Sequence, residues 1–138
     1  MTTTELRGPK QIEDAAIAYV IERERVEGRE ARDTRYVVGE VADVVSGDRV
    51  IEVKACGTFS RGNELWLECS QYIAAKGDPD RFWLYLVENV AQGDPAQFRL
   101  IRIGDSRLQE LLEHAKDHRY WTVPVPVGLY DRLVAEAG

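Results

Sequence analysis

One stretch constrains this chain more than any other. The run Tyr36-Val37-Val38-Gly39-Glu40-Val41-Ala42-Asp43-Val44-Val45 leads through Ser46-Gly47-Asp48 into Arg49-Val50-Ile51-Glu52-Val53-Lys54-Ala55. The first run reads as a strand, bulged near Gly39, and Gly47 supplies the positive φ that a tight hairpin needs. The second alternates apolar and charged residues, as the returning strand should. A two-residue loop centred between Gly47 and Asp48 sets Asp43 directly opposite Glu52, their Cβ atoms about 4.5–5.5 Å apart on one face. Lys54, two residues beyond Glu52, shares that face. A slip of one residue would send Asp43 to the opposite side, so the pairing rests on the turn.

Opposed carboxylates repel. A strand tolerates them on a wet surface, where alternating Ile-Glu-Val-Lys is an ordinary half-exposed pattern, or uses them to hold a hard cation such as Mg²⁺ through oxygen ligands. With a lysine at the same spot, the parts suit phosphodiester hydrolysis. A metal lowers the pKa of a bound water and stabilises the leaving group, while the lysine orients or deprotonates that water and offsets phosphate charge.

The 138 residues, 44% of them apolar, make one domain with a proper core. A helix is expected from about Pro9 to Glu27, stopped by Gly28, and Gly28–Asp33 reads as a charged turn. After the hairpin come a loop from Cys56 and a helix over Ser70–Lys76 with Ser70 as N-cap. The most apolar strand, Phe82–Val87, should lie centrally, followed by a strand over Phe98–Ile103. A helix over Ser106–His118 opens with the capping box Ser106-x-x-Gln109. Pro124 and Pro126 exclude regular structure across Val123–Val127, and a short helix over Leu129–Ala135 closes the chain. The order α-β-β-(α)-β-β-α describes one mixed α/β domain.

Other classes recede. No run of eighteen apolar residues exists to span a bilayer, and Met1–Arg7 lacks the basic-then-apolar pattern of a leader, so a cytoplasmic location is expected. Cys56 and Cys69 then read as free thiols. His114 and His118 stand at i, i+4 without a third ligand and read as surface histidines. The formal charge of −6 counts only weakly against a nucleic-acid partner, because binding answers to local patches. Arg23, Arg25, Arg29, Arg32 and Arg35, interleaved with Glu22, Glu24, Glu27 and Glu30, read as a solvated, salt-bridged face. Trp66, Trp83, Tyr85 and Trp121 read as core or interface anchors rather than base-stacking platforms.

Asp43, followed nine residues later by Glu52-Val53-Lys54, resembles the bipartite D…(D/E)xK signature of the PD-(D/E)xK nuclease superfamily. More closely, Gly28-Arg29, Asp43-Val44-Val45-Ser46, Arg49–Lys54 and Phe82–Val87 are similar to the NO VEIN C-terminal-type domain family, whose members carry a "D-I-x-S…IEVK" hairpin and a "yyLyvV" strand. The similarity spans roughly residues 10 to 104, leaving residues 105–138 as a helical, proline-containing extension. Where many relatives have Gly-Tyr-Asp, this chain has Val41-Ala42-Asp43.

The resemblance implies a restriction-endonuclease-like αβββαβ core within a single domain. It implies Mg²⁺ (or Mn²⁺) held by Asp43 and Glu52, joined by the Val53 carbonyl, with Lys54 as base or electrostatic partner. It also implies a carboxylate from the first helix. Glu13, on one face with Ile17 and Val20, is the first candidate and Glu22 the second. Gln71 resembles a glutamine that some members place near the metal or substrate, against a solvated or capping role. Arg61, in the Ser60-Arg61-Gly62 loop just past the hairpin, is the phosphate candidate by location. The expected activity is metal-dependent cleavage of nucleic acid, DNA rather than RNA, by a homodimer or as one subunit of a larger defence or repair system. The alternative is a catalytically silent nuclease fold serving as a binding or assembly module for a partner protein.

Overall fold

The computed structural model describes residues 5–118 and 122–137; Trp121 lies outside them. The elements run α1 (Pro9–Val26), β1 (Ala31–Asp33), β2 (Val44–Ser46), β3 (Arg49–Ala55), α2 (Cys69–Gly77), β4 (Phe82–Glu88), β5 (Arg99–Ile103), α3 (Asp105–Leu112) and α4 (Val127–Ala137). The five strands form one sheet in sequence order. Neighbours are antiparallel except β3 and β4, whose parallel pairing needs the α2 crossover between them. The first six elements are therefore the expected αβββαβ core of an α/β domain, with β5 added at the far edge.

Helices cover both faces of the sheet. Ala16, Ile17 and Val20 of α1 pack on Val44, Ile51, Val53, Tyr85 and Val87. On the other face Ala75 of α2 and Leu108 and Leu112 of α3 close over Phe82, Leu84 and Leu86. The period of two along β3 and β4 thus feeds two cores at once, and β4 is almost wholly buried, as a central strand should be. Among the described residues α4 contributes no buried side chain.

Helix α1 begins with Pro9 in its first turn, and Gly28 ends it in the left-handed region at φ 86°. The Gly28 N–H donates to Arg25 O at 2.9 Å and the Arg29 N–H to Glu24 O at 3.0 Å. That closing motif folds Arg29 back beside Glu24. The two side chains then pair through Nε–Oε1 at 2.8 Å and Nη2–Oε2 at 2.9 Å.

Several expectations need correction. The apolar run Tyr36–Val38 is loop rather than strand, with Val38 fully exposed. Only Val44–Ser46 pairs with β3, while the charged segment expected to turn supplies edge strand β1. The intervening loop is closed at its neck by Thr34, whose N–H reaches Asp43 O and whose hydroxyl reaches Ala42 O, both at 2.8 Å. Two backbone groups are thereby satisfied without strand pairing. Glu68, not Ser70, caps α2. Helix α3 starts after Gly104 and ends at Leu112, so His114 and His118 are exposed non-helical residues without helical i, i+4 alignment. Gln109 donates to Ala75 O at 3.0 Å, tying α3 to α2 instead of closing a box with Ser106.

Candidate active site

The β2–β3 register is the one that sets Asp43 against Glu52: Val44 pairs with Ile51, Val45 with Val50 and Ser46 with Arg49. Asp43 itself sits just beyond the ladder. Its N–H donates to Ile51 O at 3.1 Å, and its carboxylate Oδ2 accepts from the Val53 N–H at 3.0 Å. Asp43 is therefore fixed over β3 through both its backbone and its side chain. Glu52 is 4% exposed, and the Lys54 ammonium stands 3.1 Å from its Oε2. Glu52 Oε1 is buried with no hydrogen-bond partner among the described residues.

Asp43 lies within hydrogen-bonding reach of Glu52, yet two carboxylates have no donor to exchange unless one keeps a proton. Burial, and then the charge of Asp43, push Glu52 up to about 7, against the pull of Lys54. Burial likewise raises Asp43, opposed by the Val53 N–H. The pair is thus poised to share a proton or a cation, because a buried negative charge without either is costly.

The other expected residues fall around this pair unevenly. Glu13 is held by Arg35 at 3.1 Å with 47% of its side chain exposed, so it lies beyond the buried end of the α1 stripe. It nevertheless shares with Lys54 an open cleft of about 490 Å³, lined also by Pro9, Ile12, Val53 and Gly57. Glu22 is exposed. Gln71 is committed to structure: its Oε1 accepts from Glu68 N at 3.0 Å, and its Nε2 donates to Val41 O at 3.4 Å. It straps the start of α2 to the segment that carries Asp43. Arg61 is exposed at a turn closed by Asn63 N–Ser60 O at 2.9 Å. Cys56 and Cys69 are both free thiols.

Two buried acids escaped the sequence reading. Glu24, expected in a solvated face, is 0% exposed; besides Arg29 it takes the Ser46 hydroxyl at 3.0 Å and lies 3.5 Å from Arg102. The stripe Glu13-Ile17-Val20-Glu24 at helical spacing was the available signal, with the acid placed one period too early. Glu88 is 3% exposed and accepts both the N–H and the hydroxyl of Ser60, at 2.7 and 2.6 Å, clamping the loop after β3. Those two donors hold Glu88 below the usual glutamate range. Nothing in an apolar strand ending in glutamate announces such a partner 28 residues away.

Among the described residues no three His, Cys, Asp or Glu side chains converge as a metal cage. Two carboxylates, one with an unpartnered buried oxygen, still fit a hard ion such as Mg²⁺, which keeps several waters and takes only one or two carboxylates before meeting phosphate. No helix among the described residues is long and apolar enough to cross a membrane.

Fold and site together define an α/β domain organised around a carboxylate pair and a lysine on one hairpin. The model of the family described as Protein NO VEIN, C-terminal, matches residues 12–101, and the chain belongs to that family. No curated protein and no solved structure matches it.

Proposed function

We propose that this domain is a metal-dependent nuclease of the PD-(D/E)xK type that hydrolyses phosphodiester bonds in DNA. The observation that carries the proposal is the pairing of buried Glu52 with half-buried Asp43, with the orphaned Glu52 oxygen and Lys54 at 3.1 Å. The element order supports it, since αβββαβ with a mixed sheet between helices is the core that the superfamily resemblance implies. Asp43 and Glu52 would hold Mg²⁺ or Mn²⁺, with the Val53 carbonyl as a backbone donor and Glu13 reachable across the cleft once it leaves Arg35. Such an ion supplies Lewis-acid polarisation of the phosphoryl oxygen and a nucleophilic water at neutral pH.

The protein's own groups do the rest. Lys54, a quarter exposed at the cleft, faces the phosphate and orients the attacking water. Asp43 holds the Val53 N–H and so keeps β3 in place beneath the reacting group. Arg61 offers a second cation to the substrate backbone. Gln71 acts through the position of Val41 rather than on substrate. The setting that fits is the cytoplasm, in a homodimer or a larger nuclease assembly.

The test is cleavage of circular single-stranded and supercoiled duplex DNA with Mg²⁺, Mn²⁺ or EDTA, beside Lys54→Ala and Asp43→Ala. Metal-dependent cutting lost in both variants is expected. Intact circles, and intact linear DNA and RNA, with either metal would overturn the proposal. A second reading, a silent binding or assembly module, is favoured by one observation: no third acidic, His or Cys ligand joins the pair among the described residues.

A further inference from the structure

Trp66 is 81% exposed, in an irregular segment where the sequence pattern suggested an anchor. An indole held in water forgoes burial that any core would reward, and its ring face stays free to stack on a partner. Its surroundings narrow that partner. Phe59, 54% exposed, lies on the same loop with the Arg99 guanidinium 5.9 Å from its ring centroid. Arg61, between the two aromatics, takes part in no hydrogen bond or ion pair among the described residues. The first part of the loop is braced: Glu88 holds Ser60 twice, Asn89 N donates to Thr58 O at 2.7 Å, and Cys56 N donates to Val87 O at 2.8 Å.

The loop is also tied to the segment that carries Asp43. Glu68, two residues past Trp66, is bonded to Gln71, and Gln71 to the carbonyl of Val41, two residues before Asp43. Extended chain covers at most about 3.6 Å per residue, so with the two hydrogen bonds and the width of the Gln71 amide Trp66 and Asp43 are separated by no more than about 30 Å. That is within the footprint of a few nucleotides.

We propose that the loop from Cys56 to Glu68 is a stacking platform for the unpaired bases of a single DNA strand, with Trp66 as its principal surface and Arg61 as a phosphate contact. This rests on the nuclease reading and adds the substrate form. Bases offer their faces only when unpaired, whereas duplex DNA hides them in the stack. Arg61 is the one cation of the loop, against Glu64 and Glu68 on either side of Trp66, so affinity comes mainly from stacking and depends weakly on salt. Two or three phosphate contacts give a slope of log K against log salt no steeper than about −2.

The test is fluorescence anisotropy of labelled (dT)20 and of a 20-base-pair duplex against the full chain in EDTA, where no hydrolysis intervenes. Trp66→Ala is expected to weaken (dT)20 binding by about five- to hundredfold and Trp66→Phe by much less. The duplex should bind more weakly and be indifferent to both changes. Unchanged (dT)20 affinity in Trp66→Ala, or equal binding of the duplex, overturns the inference. So does a sedimenting dimer that Trp66→Ala dissolves, because the indole would then serve a second copy of the chain. Failure stays separable from that of the nuclease reading. A chain that binds (dT)20 through Trp66 but cuts nothing defeats only the nuclease, and one that cuts with KM indifferent to Trp66 defeats only the platform.

Discussion

Replacing Glu52 by Gln should stabilise the metal-free protein above neutral pH and leave it nearly unchanged in acid. The side chain is 4% exposed, and its ionisation is displaced from an ordinary 4.5 to about 7 by burial and the Asp43 charge. A carboxyl whose pKa is raised on folding contributes stability that is fully present below the unfolded value and lost as pH climbs through the folded one. Between pH 4.5 and 7 the native state holds one proton more than the unfolded chain, so stability falls by about 1.4 kcal/mol per pH unit. That displacement is already net of the pull of Lys54, and it amounts to a penalty of about 3 kcal/mol at pH 8. The substituted amide carries no charge to desolvate and gives Asp43 a permanent donor where the native pair needs a proton. For a chain of this size the gain is roughly 8 °C in Tm. The assay is thermal unfolding of both proteins in EDTA from pH 5 to 8. The difference between them should open from near zero to its full value across that range. The lowered carboxyls Asp14, Glu24, Asp33 and Glu88 act only on the acid side and occur in both proteins. Parallel curves from pH 5 to 8 would refute the reading of Glu52 as a buried carboxyl beside a second acid.

Glu24→Ala should cost about 3 kcal/mol in urea unfolding, since it strips Arg29 and Arg102 of their buried partner, whereas Ser46→Ala removes one hydrogen bond and should cost about 1 kcal/mol. Gly104→Ala should lower the stability measured in urea by about 1–3 kcal/mol and alter the near-ultraviolet dichroism of Trp83, because the added Cβ would fall 2.5 Å from its ring. Gln71→Ala should cost about 1 kcal/mol as a lost helix cap and speed amide exchange at Thr34 and Asp43 while leaving the sheet protected.

The hairpin was legible because its register hangs on a local device. Gly47 adopts φ 55°, the turn fixes the pairing, and the alternation of β3 then decides which side chains meet. What lies upstream was not legible. Tyr36-Val37-Val38 has strand composition, but its backbone finds partners within its own loop, and its apolar side chains stay in water. Ala31–Asp33 has loop composition, yet as an edge strand it needs only one buried side chain, Ala31. The acidic stripe of α1 was readable as a face but not as a depth. Where the core ends along a helix depends on the sheet beneath it, so Glu13 emerged at the cleft and Glu24 inside. Trp66 shows the same limit from the other side: an aromatic in a loop gives no sign of whether anything folds over it.

All the chemistry proposed for this domain depends on one divalent ion between Asp43 and Glu52. Calorimetric titration of Mn²⁺, and of Mg²⁺, into the wild-type chain tests that directly, beside Asp43→Asn, Glu52→Gln and Lys54→Ala. One ion per chain is expected, with the heat lost in both carboxylate variants and kept in Lys54→Ala, so that Glu52→Gln is at once more stable and blind to metal. Binding that persists in Glu52→Gln, or no binding by the wild type at millimolar metal, would contradict it.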